Sequence, residues 1–120
     1  MRRTLSFSFL ALALATAEAQ AHARLESAVP PTGGTVAASP NEVRLTFSEP
    51  VEPALTGITL TDAAGKKIVT GKATVDPKNV AVLVVPLPQA LPAGTYKVAW
   101  HAVSVDSHKT QGSFSFTVKP

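Results

Sequence analysis

The chain contains no cysteine, and its only methionine is the initiator, Met1. Disulfides, thiolate metal sites and cysteine nucleophiles are therefore excluded, as is any site built from soft thioether donors. Aromatic residues are scarce, with one Trp, one Tyr and five Phe. That leaves little material for an aromatic platform that would bind sugars by stacking. Charged residues make up only 16% of the chain, without a basic run, and the formal net charge is +3, so nucleic-acid binding is not expected. Helical periodicity is missing after residue 22, and so are internal repeats and low-complexity segments.

What remains is one domain's worth of sequence, 120 residues at 45% hydrophobic, too apolar for disorder and too mixed for a polytopic membrane protein. The first stretch reads apart from the rest. Arg2 and Arg3 precede Leu5 to Ala17, which is apolar but for Ser and Thr, and Ala19-Gln20-Ala21 offers the small-x-small pattern of a signal peptidase site. Residues 1–21 are expected to be a secretory signal peptide, with an apolar core too short to span a bilayer as an anchor. Cleavage after Ala21 makes His22 the first residue. Cleavage after Ala23 is equally allowed by Ala21-His22-Ala23, and the pattern does not choose. The remaining domain, 22–120, loses Arg2, Arg3 and Glu18 and carries a net charge of +2. A chain of about 100 residues buries enough surface to fold without disulfides.

Its apolar residues alternate with period two. Val43, Leu45 and Phe47 do so, as do Ile58 and Leu60, then Tyr96, Val98, Trp100 and Ala102, and finally Phe114, Phe116 and Val118. Each run predicts a half-buried strand, and the continuous apolar run Val80 to Val85 predicts a central one. Ten Pro and seven Gly punctuate the chain, and turn-like stretches fall at Pro30 to Gly34, Ser39 to Asn41, Pro50 to Pro53, Ala64 to Lys66, Asp76 to Asn79 and Pro86 to Pro92. Short strands every ten residues or so predict an all-β, two-sheet sandwich of about seven strands. Leu91 to Tyr96 resembles the tyrosine corner of immunoglobulin-like sandwiches, which gives Tyr96 a structural role, and Trp100 is expected in the core.

Three histidines are the candidates for chemistry: His22, His101 and His108. In Asp106-Ser107-His108 the outer two side chains share one side of an extended segment, and the triplet lies between two long strands, at a sandwich end where loops gather. His22, once it is the first residue, has a free amine beside its imidazole, and the two can chelate one metal. With His108 and Asp106 this makes three nitrogens and one oxygen. Tetragonal N/O donors suit Cu(II), and a chain without Cys or internal Met offers nothing for Cu(I). If Trp100 faces the core, His101 faces away from it and stands outside the site.

These residues bring a family into view. The start His22-Ala23-Arg24-Leu25-Glu26-Ser27-Ala28 with Pro30, the segment Leu45-Thr46-Phe47-Ser48-Glu49 and the run Gly94 to Val118 together resemble the CopC family of periplasmic copper-resistance proteins. The last run is the most specific: Gly-x-Tyr, Trp, Ser-x-Asp-x-His, then Gly-x-x-x-Phe. The resemblance implies an immunoglobulin-like Greek-key sandwich, exported to the periplasm. It also implies one Cu(II) held by the amine and imidazole of His22 together with Asp106 and His108. It favours cleavage after Ala21, because His-Ala is the family's common mature start. Glu49 matches a family acid near the metal, where it would orient a metal-bound group; its other reading is a surface carboxylate at a strand end. The chain departs from Met-rich members, which hold Cu(I) in a mid-chain loop, and it has Arg24 where some members carry a third-position His.

The expected function is Cu(II) binding for copper resistance, storage or delivery by a non-enzymatic monomer. A CopD-type inner-membrane copper transporter is the partner the family implies. Two alternatives stand beside it. A histidine-brace copper monooxygenase also uses an N-terminal His, but it needs an open metal position and a substrate surface. A metal-free interaction sandwich would use the fold alone.

Overall fold

A computed structural model describes residues 22–120, so the expected signal peptide, 1–21, lies outside the described residues. The alternating runs form strands, and their apolar sets are buried except for Ile58 and Trp100, which are partly exposed at the core's margin. Val43, Leu45 and Phe47 are at most 2% exposed, while Glu42, Arg44 and Thr46 between them remain partly exposed. Among the described residues there are nine strands. They are β1 (Leu25–Val29), β2 (Thr35–Val36), β3 (Glu42–Phe47), β4 (Gly57–Thr61), β5 (Lys67–Ile68), β6 (Thr74–Asp76), β7 (Asn79–Pro86), β8 (Gly94–Val103) and β9 (Lys109–Val118). A 3-10 turn, Pro53–Leu55, precedes β4.

The strands form two sheets, ordered β1-β3-β7-β6 and β2-β9-β8-β4-β5. The chain crosses between sheets after β1, β2, β3, β5 and β7, the connectivity of a Greek-key sandwich. The two strands beyond the expected seven are explained by length. Strands β2 and β5 have two residues each, too few to show a period. The apolar run Val80 to Val85 lies in β7, which is paired on both sides, to β3 and to β6. Its start is nevertheless at the surface, with Val80 48% exposed.

The Tyr96 hydroxyl donates to the Pro92 carbonyl at 2.6 Å, which closes the corner before β8 as expected. The ring is buried and stacks on Phe116 across the β8–β9 pair. Trp100 differs in degree from the expectation of a core anchor. It is half-buried at the core's margin, edge-on to Phe47 at 5.4 Å. Its cross-strand partner is Gly112, and a Cβ there would lie 2.6 Å from the indole ring. The glycine makes room for the ring to lie across β9.

Antiparallel pairing brings the start of β1, the end of β3 and the start of β7 to the same end of one sheet. The end of β8 and the start of β9 reach that end too, because the bridge between Val51 and Ser104 ties the sheets together there. A bulge falls between Leu25 and Ser27 in β1, where the register with β3 shifts. The extra residue, Glu26, lets both Leu25 and Ala28 pack toward the core although they are three apart. It also lets Ala23, ahead of the strand, be completely buried.

Candidate metal centre

Residues 104 to 108 join β8 to β9 in a tight turn, and β9 begins at Lys109, three residues before Gly112. Ser104 continues the inward-facing series of β8 past Ala102 and has no solvent exposure. Its N–H donates to the His108 carbonyl at 3.0 Å, and the Ser107 N–H donates to the Ser104 carbonyl at 2.8 Å. Ser107 closes the turn with φ at +72°, a left-handed conformation that non-glycine residues seldom adopt. From inside the turn, the Ser104 hydroxyl donates to Asp106 Oδ1 and accepts the His108 N–H at 3.3 Å. The outer carboxylate oxygen, Oδ2, lies 3.1 Å from Nδ1 of His108. The Ser104 hydrogen bond is the main reason the Asp106 carboxyl titrates below its ordinary range; lost hydration opposes this, and the contacts with His108 reinforce it.

The N-terminal segment reaches the same place from the other sheet. The buried Ala23 methyl anchors it. The Thr110 hydroxyl donates to the Ala23 carbonyl at 2.8 Å. Ser48 grips the flanking residues: its Oγ accepts the Arg24 N–H at 2.8 Å and donates to the His22 carbonyl at 3.3 Å, and its own N–H donates to the Arg24 carbonyl at 2.8 Å. His22 therefore sits at the mouth of the turn. Its ring meets that of His108 edge-to-face, with centroids 4.6 Å apart and planes at 87°.

The three sequence-predicted ligand residues thus gather at one end of the sandwich. They do not form a finished cage. Among the described residues, no group of three or more His, Asp or Glu side chains is arranged to hold a metal as it stands. The Asp106 carboxylate is engaged with Ser104 and His108, and the His22 amine is a peptide nitrogen in the uncleaved chain. The donor types still fit Cu(II): two imidazoles and a carboxylate, with no sulfur among the described residues. Glu49 is half-buried next to Ser48, and none of the ion pairs among the described residues involves it. His101 is exposed on the outer face of β8, beside Gly57, as its alternation with Trp100 implies.

A profile of the CopC domain matches residues 25–119. The chain belongs to the CopC family. Among relatives, protein YobA of Escherichia coli K12 is 41% identical over 98 residues, covering 82% of this chain and 79% of its own. The crystal structure of CopC from Methylosinus trichosporium OB3b superposes with a TM-score of 0.76 at 36% identity, covering 82% of this chain and 95% of that one. PcoC, described as a methionine-rich copper resistance protein from Escherichia coli, superposes at 0.73 with 34% identity, covering 82% and 99%. The family includes copper resistance proteins, and the sandwich described above is its fold. The absence of methionine after Met1 separates this chain from the methionine-rich PcoC.

Three contributors to the site were missed from sequence: Ser104, Ser48 and Thr110. Ser104 and Thr110 did leave a signal. Each occupies an inward-facing position of its strand's alternation, where a hydroxyl needs a partner. Ser48 left none, because its role depends on the packing of an N-terminal segment from outside the β-ladder.

Proposed function

We propose that the exported protein is a periplasmic Cu(II)-binding protein that stores copper or hands it on. It binds one ion per chain, through the amine and imidazole of a mature N-terminal His22 and through His108 and Asp106. The contact that carries this reading is the meeting of the His22 and His108 rings at 4.6 Å, between residues from the two ends of the sequence. Cleavage after Ala21 supplies the missing donor by converting the His22 peptide nitrogen into an amine. Copper is cargo here and not a reaction centre, and a CopD-type membrane transporter is the partner the family suggests.

Asp106 has a second reading, favoured by its 3.1 Å approach to His108 Nδ1. A carboxylate that accepts from one imidazole nitrogen orients the ring and leaves Nε2 for the metal. In that case Asp106 sets the direction of His108 and does not bind copper itself.

Two measurements test the proposal. Mass spectrometry of the exported protein should give His22 as the first residue. Titration with Cu(II) should give one equivalent bound, with a tetragonal, nitrogen-rich EPR signal. A mature chain that begins at Arg24, or copper stoichiometry and EPR signal unchanged in His108→Ala, would sink it.

A further inference from the structure

We infer that Ser48 and Thr110 are positioning residues that seat His22 before copper arrives. The inference deepens the proposed function and rests on it for the identity of the cargo. An N-terminal residue ordinarily frays, because nothing holds the first few backbone groups of a chain. Here the backbone after His22 is held from both sheets. Ser48, just beyond the end of β3, contacts three backbone groups: the carbonyl of His22 and both the N–H and the carbonyl of Arg24. Thr110, on β9, takes the carbonyl of the residue between them. The buried methyl of Ala23 fixes the depth of the segment, and the Glu26 bulge sets its direction.

None of these contacts involves the His22 imidazole or its nitrogen, so the clamp leaves both donors free. Its effect is to remove the cost of ordering the N-terminus from the binding step. A ligand residue held in its bound position gains affinity by having less freedom to lose. The two hydroxyls also come from different sheets, so the clamp spans the same junction as the His22–His108 pair. That makes Ser48 and Thr110 determinants of copper affinity without being copper ligands.

The test uses the protein exported from its full-length precursor, in four versions besides wild type: Ser48→Ala, Ser48→Thr, Thr110→Val and the Ser48→Ala/Thr110→Val pair. The first readout is amide exchange at Arg24 in the copper-free protein. The clamp predicts protection in wild type and its loss in Ser48→Ala, with the rest of the sandwich still protected. The second is Cu(II) affinity by chelator competition. The pair should bind about tenfold or more weakly than wild type, with Ser48→Thr close to wild type because it keeps the hydroxyl. Free exchange at Arg24 in wild type, or an affinity unchanged in the pair, would overturn the clamp. His22→Ala separates the two levels of argument. If it binds copper as wild type does, the copper reading of His22 fails and this inference with it. If it loses copper while the clamp variants do not, only the clamp fails.

Discussion

Oδ2 of Asp106 stands 3.1 Å from Nδ1 of His108, so the carboxylate touches the imidazole on the side away from Nε2. Asp106→Asn distinguishes the two roles open to this residue. Asparagine keeps an oxygen that accepts from Nδ1–H but removes the anionic donor. If Asp106 orients His108, Asp106→Asn should keep the EPR parameters and lose less affinity than Asp106→Ala, which should fall by about 10- to 100-fold. If Asp106 is itself a ligand, both variants should change the EPR spectrum. Continuous-wave EPR and a competition titration on the three proteins decide the matter.

Ser104 links the fold to the site. It has no solvent exposure, and its hydroxyl serves both Asp106 and the His108 N–H. Ser104→Ala leaves the His108 N–H without that acceptor and frees the carboxylate to rotate. The expected cost is about 1–3 kcal/mol of folding stability. Copper affinity should fall as well, since the turn no longer fixes the two side chains. Urea denaturation of the copper-free protein checks the first effect, and a chelator titration checks the second.

Tyr96 gives the fold an alkaline limit. Burial pushes its phenol above the ordinary value of 10.0, with the charge of Asp62 adding to the effect. The folded state therefore holds the proton more tightly than the unfolded state. Its contribution is complete below the unfolded value and is lost as pH rises through the raised folded value. Tyr96→Phe should remove this alkaline loss of stability. At neutral pH it should cost only about 0.5–1.5 kcal/mol, the net worth of one hydrogen bond, because Pro92, whose carbonyl it abandons, is an exposed residue. Urea midpoints measured from pH 7 to pH 11 test both statements.

Gly112→Ala probes the Trp100 seat. The new methyl would lie 2.6 Å from the indole, so either the ring moves or the strands part. Overpacking of this kind costs about 1–3 kcal/mol. The chain has a single Trp, so its emission reports the displacement directly. An unshifted emission maximum with unchanged thermal stability would refute the close contact.

Much of this architecture was legible because strand alternation is a local signal. Val43, Leu45, Phe47, Phe114, Phe116 and Val118 alternate in sequence and are buried in the fold. The tyrosine corner was legible for the same reason, since its donor and acceptor are only four residues apart. The Asp106–His108 pair is likewise local, and the sequence pattern brought His22 in beside it. Other features depend on contacts between distant segments. The bulge at Glu26 breaks the alternation on which the reading relies. The grip of Ser48 on Arg24 joins residues 24 positions apart, and that of Thr110 on Ala23 joins residues 87 apart. No spacing rule foretells such pairs.

The seating of Ala23 against Thr110, 87 positions away, bears on when the protein can take up metal. In an unfolded chain His22 and His108 are strangers, so the complete site is a product of folding. Copper joining the two would fasten the beginning of the sandwich to its final hairpin, the tie that a disulfide would make in a chain that had cysteines. Its melting temperature should climb with free Cu(II), since an ion that binds only the folded form shifts the equilibrium by mass action. The metal would then be both freight and fastening, and giving it up would loosen the molecule that carried it.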